Sequence, residues 1–177
     1  MYYTSTYQSV LGKILLACDD TGLTGLWFEG QKYYANGLNP EHEEKEHPIL
    51  KEVKQWLNLY FSGKEPDFMP PIHMTGTSFD IEVWNILLDI PYGTTTTYGE
   101  IARTVAQKRG LSGMSAQAVG SAVGHNKISI IIPCHRVVGK NGNLTGYAGG
   151  IDKKLQLLMT EGIDTASLFV PLKGTAL

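Results

Sequence analysis

A cysteine, a histidine and an arginine follow one another in the last third of the chain, as Cys134, His135 and Arg136. A thiol attacks strongly only as the thiolate, so a reactive cysteine needs a nearby base or positive charge that lowers its pKa. Neighbouring side chains of an extended segment point to opposite faces, and we therefore expect a water molecule to connect Cys134 with His135. Taken alone, the pair is explained more simply as a structural cysteine beside a surface histidine.

The residues around this triplet favour a reactive site. Asn126 precedes an apolar run, Ile128 to Ile132, which predicts a buried strand that leads to the cysteine. Asn141 and Gly142 predict a hairpin turn after the cysteine. The glycine-rich segment 146–150 predicts a loop that approaches its neighbours closely, and we interpret it as a pocket wall.

Glu161 is a candidate partner of His135. The pattern predicts a helix over Asp152 to Thr160, ended by Gly162 as its C-cap. A carboxylate at this end of a helix opposes the helix dipole, so it indicates a tertiary partner. The alternative is a solvated terminal glutamate. The apolar positions expected to face inward are Ile151, Leu155 and Leu158.

The first third of the chain predicts a small sheet followed by a helix. Val10 to Cys18 and Leu23 to Phe28 are strand-like runs separated by a turn sequence, which favours a β-hairpin. A helix is predicted over His47 to Phe61, where apolar residues recur at helical spacing. We therefore predict a chain of the α+β (α/β) class, in which this part supplies the sheet.

A proline-rich stretch with no sustained period, within 64–77, predicts the connection between two subdomains. We expect an N-terminal sheet-and-helix subdomain over 1–70 and a mostly helical subdomain over 77–164. The remaining residues, 165–177, are expected to form a tail.

The second subdomain predicts three helices in its first half. An apolar stripe over Phe79 to Leu87 indicates the first of them. Thr97 and Glu100 have the spacing of a capping box, and Ser115 is the expected N-cap of a further helix over 116–124. Two helices joined by a short loop favour a helix-turn-helix.

The last of these helices is built from small residues, among them Ala118 and Gly120. Glycine weakens a helix, so a close neighbour is expected at its surface, either another helix or a nucleic-acid groove. Charge favours the groove, because residues 98–140 carry six Lys and Arg but one acidic residue, a net charge of +5. A solvated basic face remains the alternative.

Composition excludes several classes of protein. The 177 residues carry a net charge of −2, which hides an acidic half, with six Lys and ten Asp and Glu over 1–77, and a basic half over 78–177. Two cysteines, Cys18 and Cys134, are too few for a disulfide scaffold or a four-cysteine zinc site. The sequence shows neither a signal-peptide pattern nor an apolar run of membrane-spanning length, so we expect a cytoplasmic protein.

The segment Ile132 to Val137, with Asn126 before it and Gly146 to Gly150 after it, resembles the signature of the O6-alkylguanine-DNA alkyltransferases, or methylated-DNA–protein-cysteine methyltransferases. The resemblance extends over Phe79 to Gly162 and includes Tyr98-Gly99-Glu100. It implies an α+β fold whose N-terminal subdomain is RNase H-like. It also implies a DNA repair protein that flips O6-alkylguanine, and O4-alkylthymine, out of duplex DNA and transfers the alkyl group irreversibly to its own cysteine.

The same resemblance implies a role for each residue of the motif. Cys134 would be the alkyl acceptor, His135 would take its proton through a water, and Glu161 would polarise the histidine. Asn126 would brace the loop that carries Cys134. Tyr98 would help to rotate the target nucleotide and donate a proton to the departing guanine.

The family binds duplex DNA through the minor groove, needs no cofactor and is expected to act as a monomer. The DNA and substrate contacts that the resemblance implies are Gln117, Ala118, Gly120, Lys127, Arg136, Val137, Tyr147, Ala148 and Gly149.

Two positions depart from the family pattern. Gln117 stands where an arginine is frequent, and Lys127 stands where a proline is frequent. We expect flipping to survive with altered affinity and the loop after Asn126 to be less rigid. The N-terminal cysteines that bind zinc in some members are missing, so we expect no structural metal.

Three alternatives remain open. A non-catalytic alkyltransferase-like lesion binder shares the fold but lacks the acceptor, which Cys134 argues against. A cysteine hydrolase would use Cys134 and His135, although adjacent residues are unusual for such a dyad. A purely structural domain would neither bind DNA nor accept an alkyl group.

Overall fold

The computed structural model describes residues 1–170 and divides them into two units. The N-terminal unit comprises Met1–Thr75 and a short later segment, Lys127–Ser129. The C-terminal unit comprises Gly76–Asn126 and the chain from Ile130 onward. Of the expected tail, residues 171–177 lie outside the described residues.

The N-terminal unit is a four-stranded sheet with one helix. Its strands are β1 (Tyr3–Ser9), β2 (Gly12–Cys18), β3 (Leu23–Phe28) and β4 (Glu43–Glu44), in the order β3-β2-β1-β4. Neighbours are antiparallel except for β1 and β4, which are parallel. Helix α1 (Pro48–Phe61) contacts the sheet; His47 is its N-cap, and Pro48 occupies its first turn.

The predicted hairpin is present, but the expected strand from Val10 begins two residues late. Val10 and Leu11 form the turn between β1 and β2. The sequence patterns did not predict β1. Strand β1 consists of two tyrosines and five small or polar residues and is mostly half-buried or exposed, so it lacks the apolar run by which β2 and β3 are recognised.

The prediction of a strand over Ile128 to Ile132 is wrong. Only Ile128 forms a bridge, to Leu26 of β3, and the chain then turns, with Ile130 at a φ of +70°. The five residues are nevertheless buried. An apolar run predicts burial and does not by itself fix an extended backbone, which explains the error.

The C-terminal unit is mostly helical. Its elements, in chain order, are α2 (Ser78–Leu88), β5 (Thr96–Thr97), α3 (Tyr98–Arg109), α4 (Ala116–Gly124), a 3-10 turn (Cys134–Arg136), β6 (Val137–Val138), a second 3-10 turn (Lys140–Gly142) and α5 (Ile151–Thr160). Strands β5 and β6 pair in parallel, so that the start of α3 lies beside the chain that follows Cys134.

Local sequence signals determine where the helices of this unit begin. Thr97 and Glu100 form the predicted capping box of α3, and the Ser115 hydroxyl accepts from the amide of Ala118 at the start of α4. Helix α3 ends at Gly110, whose φ of +65° suits glycine. The helix pair α3 and α4 is the expected helix-turn-helix. No helix within residues 1–170 is long and apolar enough to span a membrane.

Candidate active site

Cys134 begins the 3-10 turn that follows Pro133 and is 7% exposed. Its amide donates to the carbonyl of Ile132 at 2.8 Å, and the side-chain Nδ2 of Asn126 donates to the same carbonyl at 2.9 Å. The Asn126 side chain also hydrogen-bonds the thiol. Asn126, which lies two residues beyond the end of α4, therefore holds the loop of the cysteine and contacts its sulfur.

Burial dominates the electrostatics of Cys134. Loss of solvent raises the pKa of the thiol, while the Asn126 hydrogen bond and the positive charge of Lys154 lower it in part. Cys134 is therefore a protonated thiol at rest, in surroundings that already contain groups able to stabilise the thiolate. Cys18 differs, because burial and the neighbouring carboxylates of Asp19 and Asp20 raise its pKa to about 12.

His135 is fully buried against Glu161. The imidazole Nε2 contacts Oε2 of the carboxylate, which is the contact that the position of Glu161 suggested. Burial lowers the pKa of His135, and its hydrogen bond to Glu161 opposes that shift. His135 is thus a neutral base at pH 7, oriented by an ionised carboxylate. The surface position that the simpler reading of the sequence required is wrong.

Glu161 is the C-cap residue of α5 and serves three donors with its carboxylate. Oε1 accepts from Arg136 Nε at 2.7 Å and from the amide of Gly93 at 3.1 Å, while Oε2 faces His135. Burial alone would raise the pKa of Glu161, but the hydrogen bonds from His135 and Arg136 and the positive charge of Arg136 outweigh it and lower the pKa to about 2.

Arg136 belongs to this buried network. Its Nη1 donates to the carbonyl of Ile90 at 2.7 Å, and its guanidinium lies over the ring of Tyr92, 5.6 Å from the centroid. The expectation that Arg136 contacts DNA or substrate is not supported by this placement, because Glu161 and Ile90 use its donors inside the unit.

Lys154 is a site residue that the sequence reasoning missed. It is fully buried in α5, and its Nζ donates to the carbonyls of Val137 at 2.5 Å, Thr145 at 3.0 Å and Gly146 at 3.2 Å. Burial lowers its pKa to about 8, and the attraction of a Cys134 thiolate opposes this. The signal was available, because a lysine at position 154 falls on the predicted apolar face of α5.

Tyr98 opens α3 and lies close enough to Cys134 for their charges to interact. Its hydroxyl donates to the carbonyl of Thr145 at 3.2 Å. Burial and the charge of a Cys134 thiolate raise the pKa of Tyr98 well above its usual range, so the phenol keeps its proton at neutral pH. Thr145 therefore connects two side chains of the site, those of Tyr98 and Lys154.

Helix α4 presents part of its small-residue surface to solvent. Gln117, Ala118 and Ser121 are exposed, whereas Gly120 is buried. Trp84 of α2 fixes the helix from the inner side by donating from Nε1 to the carbonyl of Ala122 at 2.9 Å. The inner face of the helix is therefore packed against protein, as the first alternative expects, and the opposite face is open to solvent.

The remaining expected contact residues are distributed over three places. Val137 is buried in β6, where it pairs with Thr96. The loop residues of the expected base pocket are half-buried, namely Tyr147, Ala148 and Gly149. Lys127 belongs to the N-terminal unit, where its Nζ donates to the hydroxyl of Thr75 at 3.3 Å.

Internal pairing reduces the positive charge of the segment 98–140. Arg136 is neutralised by Glu161, and Arg109 pairs with Glu82 at 2.6 Å. The Lys and Arg side chains of this segment outside these two pairs are Arg103, Lys108, Lys127 and Lys140. Within residues 1–170, no group of three or more His, Cys, Asp or Glu side chains is arranged to hold a metal ion.

Two family models match the chain. Residues 78–163 match the DNA binding domain of 6-O-methylguanine DNA methyltransferase, and residues 1–74 match the ribonuclease-like domain of the same family. The chain is 42% identical over 163 residues to the methylated-DNA–protein-cysteine methyltransferase of Methanosarcina acetivorans, covering 92% of this chain and 99% of the relative. The protein of the same description from Haemophilus influenzae is 39% identical over 165 residues, with 92% and 87% covered.

Solved structures agree with these matches. The crystal structure of Mycobacterium tuberculosis O6-methylguanine methyltransferase superimposes with a TM-score of 0.75 at 40% identity, covering 91% of this chain and 93% of that one. A structure of the M. tuberculosis protein in complex with DNA gives a TM-score of 0.74 at 39% identity, with 90% and 91% covered.

Proposed function

The chain belongs to the 6-O-methylguanine DNA methyltransferase family, and from this premise we propose that it repairs DNA by transferring an alkyl group from O6 of guanine to the sulfur of Cys134. The observation that carries the assignment to Cys134 is its place beside the buried pair of His135 and Glu161. The chain's other cysteine, Cys18, ends β2 in the N-terminal unit and has a pKa raised to about 12.

The proton of the thiol must leave before the sulfur attacks. Since Nε2 of His135 faces Glu161, a water relay delivers the proton to Nδ1, and the imidazolium that forms is stabilised by the Glu161 carboxylate. The thiolate that remains is stabilised by Asn126 and by the charge of Lys154. Because the proton leaves only during the reaction, the thiol is neutral in the resting protein. A neutral thiol reacts poorly with unrelated electrophiles.

The alkyl carbon then changes partners. A bond forms between Cys134 Sγ and the carbon, and the bond from that carbon to O6 breaks, with its electron pair passing to the guanine. Tyr98, whose phenol is protonated, donates a proton to the departing base. The phenolate regains a proton from the His135 imidazolium through water, so that in the net reaction the thiol proton passes to guanine. The resulting thioether is stable, so each protein molecule acts once and needs no cofactor.

The target base must leave the stack to reach Cys134, at a cost of a few kcal/mol. Helix α4 suits the entry of protein into the minor groove, because Ala118 and Ser121 are small and exposed and allow a close approach. Gln117 occupies the space of the flipped nucleotide without adding charge. The loop 147–149 and Val137 line the base pocket, and the same chemistry extends to O4-alkylthymine.

We propose that the partner is double-stranded DNA and that the protein binds it as a monomer in the cytoplasm. Phosphate contacts from basic side chains give affinity that is independent of base sequence. This suits a repair protein, which must act wherever a lesion lies.

Transfer from a duplex labelled on the O6-methyl group tests the assignment. The wild-type protein and Cys18→Ser should become labelled, and Cys134→Ser should remain unlabelled while still binding the duplex. Labelling of Cys134→Ser would place the acceptor elsewhere. Duplex binding without labelling of the wild type would instead indicate a non-catalytic lesion binder.

A further inference from the structure

Residues 164–169, here named the C-terminal strap, lie beyond the match to the DNA binding domain, which ends at residue 163. The strap begins with a turn in which the Asp164 side chain accepts from the amide of Ala166 at 3.0 Å. It ends at Phe169, which forms a parallel bridge with Asn143. The chain beyond residue 163, where the family match ends, therefore returns to the loop that follows β6.

Two backbone hydrogen bonds attach the strap to that loop. The amide of Phe169 donates to the carbonyl of Gly142 at 3.1 Å, and the amide of Leu144 donates to the carbonyl of Phe169 at 2.8 Å. Leu168 packs against the buried cluster formed by Val138, Leu144 and Leu158. The attachment thus combines a pair of hydrogen bonds with an apolar anchor.

Gly142 shows how close the approach is. A Cβ at this position would lie 2.5 Å from the carbonyl oxygen of Ser167, and the residue has a φ of +86°. Both the left-handed backbone and the contact with the strap require glycine here.

The loop held by the strap leads directly to the reacting groups. Leu144 is followed by Thr145, whose carbonyl accepts from the Tyr98 hydroxyl at 3.2 Å and from Lys154 Nζ at 3.0 Å. A shift of Leu144 moves this carbonyl, and with it the phenol that interacts with Cys134.

We propose that the C-terminal strap is a positioning element for alkyl transfer, which acts through Leu144 and the Thr145 carbonyl to fix the hydroxyl of Tyr98. This inference rests on the proposed function. The strap does not contact the reacting atoms; it fixes the geometry of a group that does. A misplacement of about 1 Å caused by a remote change can cost up to about 100-fold in rate.

Paired variants separate positioning from general stability. Leu168→Ala removes the apolar anchor, and Val170→Ala, at a 56% exposed neighbour, is its matched control. Removal of residues 164–177 deletes the strap, whereas removal of 171–177 leaves it in place. The measured quantities are duplex affinity and the single-turnover rate of methyl transfer at saturating protein.

Loss of the anchor should lower the transfer rate by about tenfold, within the range known for remote misplacement, and should leave duplex affinity within about twofold, with both controls at the wild-type rate. In the Tyr98→Phe background, Leu168→Ala should lower the rate little further, because the group that the strap positions is already gone. A merely destabilising change would lower the rate equally in both backgrounds.

Equal rates for wild type and Leu168→Ala would overturn the inference, as would equal losses with and without the Tyr98 hydroxyl. A failure of the truncated protein to fold leaves the decision to Leu168→Ala. If the wild type takes up methyl normally and either of these results is found, only the positioning role of the strap is overturned. If the wild type takes up no methyl, the proposed function is overturned as well.

Discussion

The carboxylate of Glu161 contacts the imidazole of His135, and both side chains are buried in the C-terminal unit. The contact joins the C-terminal end of α5 to the turn that carries Cys134. A carboxylate is unfavourable at the negative, C-terminal end of a helix. At Glu161 its contacts offset this cost, and the ionised carboxylate orients the base of the site, His135.

Glu161→Gln should reduce both stability and methyl transfer. The free energy of unfolding should fall by about 3–5 kcal/mol, since the change removes one partner of a buried charge network, and the transfer rate should fall by about 100-fold, because the His135 cation loses its counter-ion. Urea unfolding and single-turnover transfer measure the two effects. Glu82→Gln is the control, because Glu82 forms a partly exposed pair with Arg109 and should contribute less than about 1 kcal/mol. A Glu161→Gln protein that reacts at the wild-type rate would contradict the role of Glu161.

Stability should decline with acidity through the same carboxylate. The pKa of Glu161 is about 2 in the folded protein, against about 4.3 in an unfolded chain. The depressed value stabilises the fold by about 3 kcal/mol above the unfolded pKa, and this is lost as the pH falls from about 5 towards 2. Urea unfolding at stepped pH, compared with Glu161→Gln, isolates this group from other carboxylates. The difference between the two proteins should narrow below about pH 4, and a constant difference would contradict the assignment.

Lys154→Met should destabilise the protein and slow transfer. The change keeps an unbranched side chain, one atom shorter, but leaves the carbonyls of Val137, Thr145 and Gly146 without this donor, at a cost of about 3 kcal/mol. It also removes the positive charge that stabilises the Cys134 thiolate. Lys153→Met, at the preceding and less buried position, should change the unfolding free energy by less than about 1 kcal/mol. Equal effects of the two changes would show that burial of the Lys154 ammonium is unimportant.

Gln117→Arg should strengthen binding to a duplex several-fold if position 117 fills the space of the flipped base. A guanidinium can stack on the neighbouring bases and adds a charge that attracts DNA. Gln107→Arg, at an exposed position of α3, adds the same charge and serves as the control. Dissociation constants at one salt concentration should be lower for Gln117→Arg than for Gln107→Arg. Identical affinities would place the side chain of residue 117 outside the stack.

Local signals in the sequence predicted much of the framework. The capping box of Thr97 and Glu100 and the cap at Ser115 depend on side chains a few residues apart, so the start of each helix is encoded nearby. The sequence predicts the wrong backbone for the run Ile128 to Ile132. The run is buried as expected, but the tertiary fold bends its backbone and places Ile130 in the left-handed region.

The site was predicted in part for a similar reason. Glu161 attracted attention through its unfavourable place on a helix, and the structure brings it to His135. The resemblance implies a DNA or substrate contact for Arg136, and a sequence pattern does not show that its guanidinium pairs with Glu161, 25 residues further along the chain. Lys154 was overlooked because a lysine is ordinarily exposed, and only the packed structure shows which carbonyls its ammonium serves.

Transfer of one methyl group to Cys134 can be measured as the intact mass of the protein before and after exposure to a duplex containing O6-methylguanine. We expect every active molecule to gain one methyl group in place of one hydrogen, excess duplex to add no second group, and peptide mapping to place the methyl on Cys134. An unchanged mass, repeated turnover by a catalytic amount of protein, or a methyl group on Cys18 would contradict this expectation.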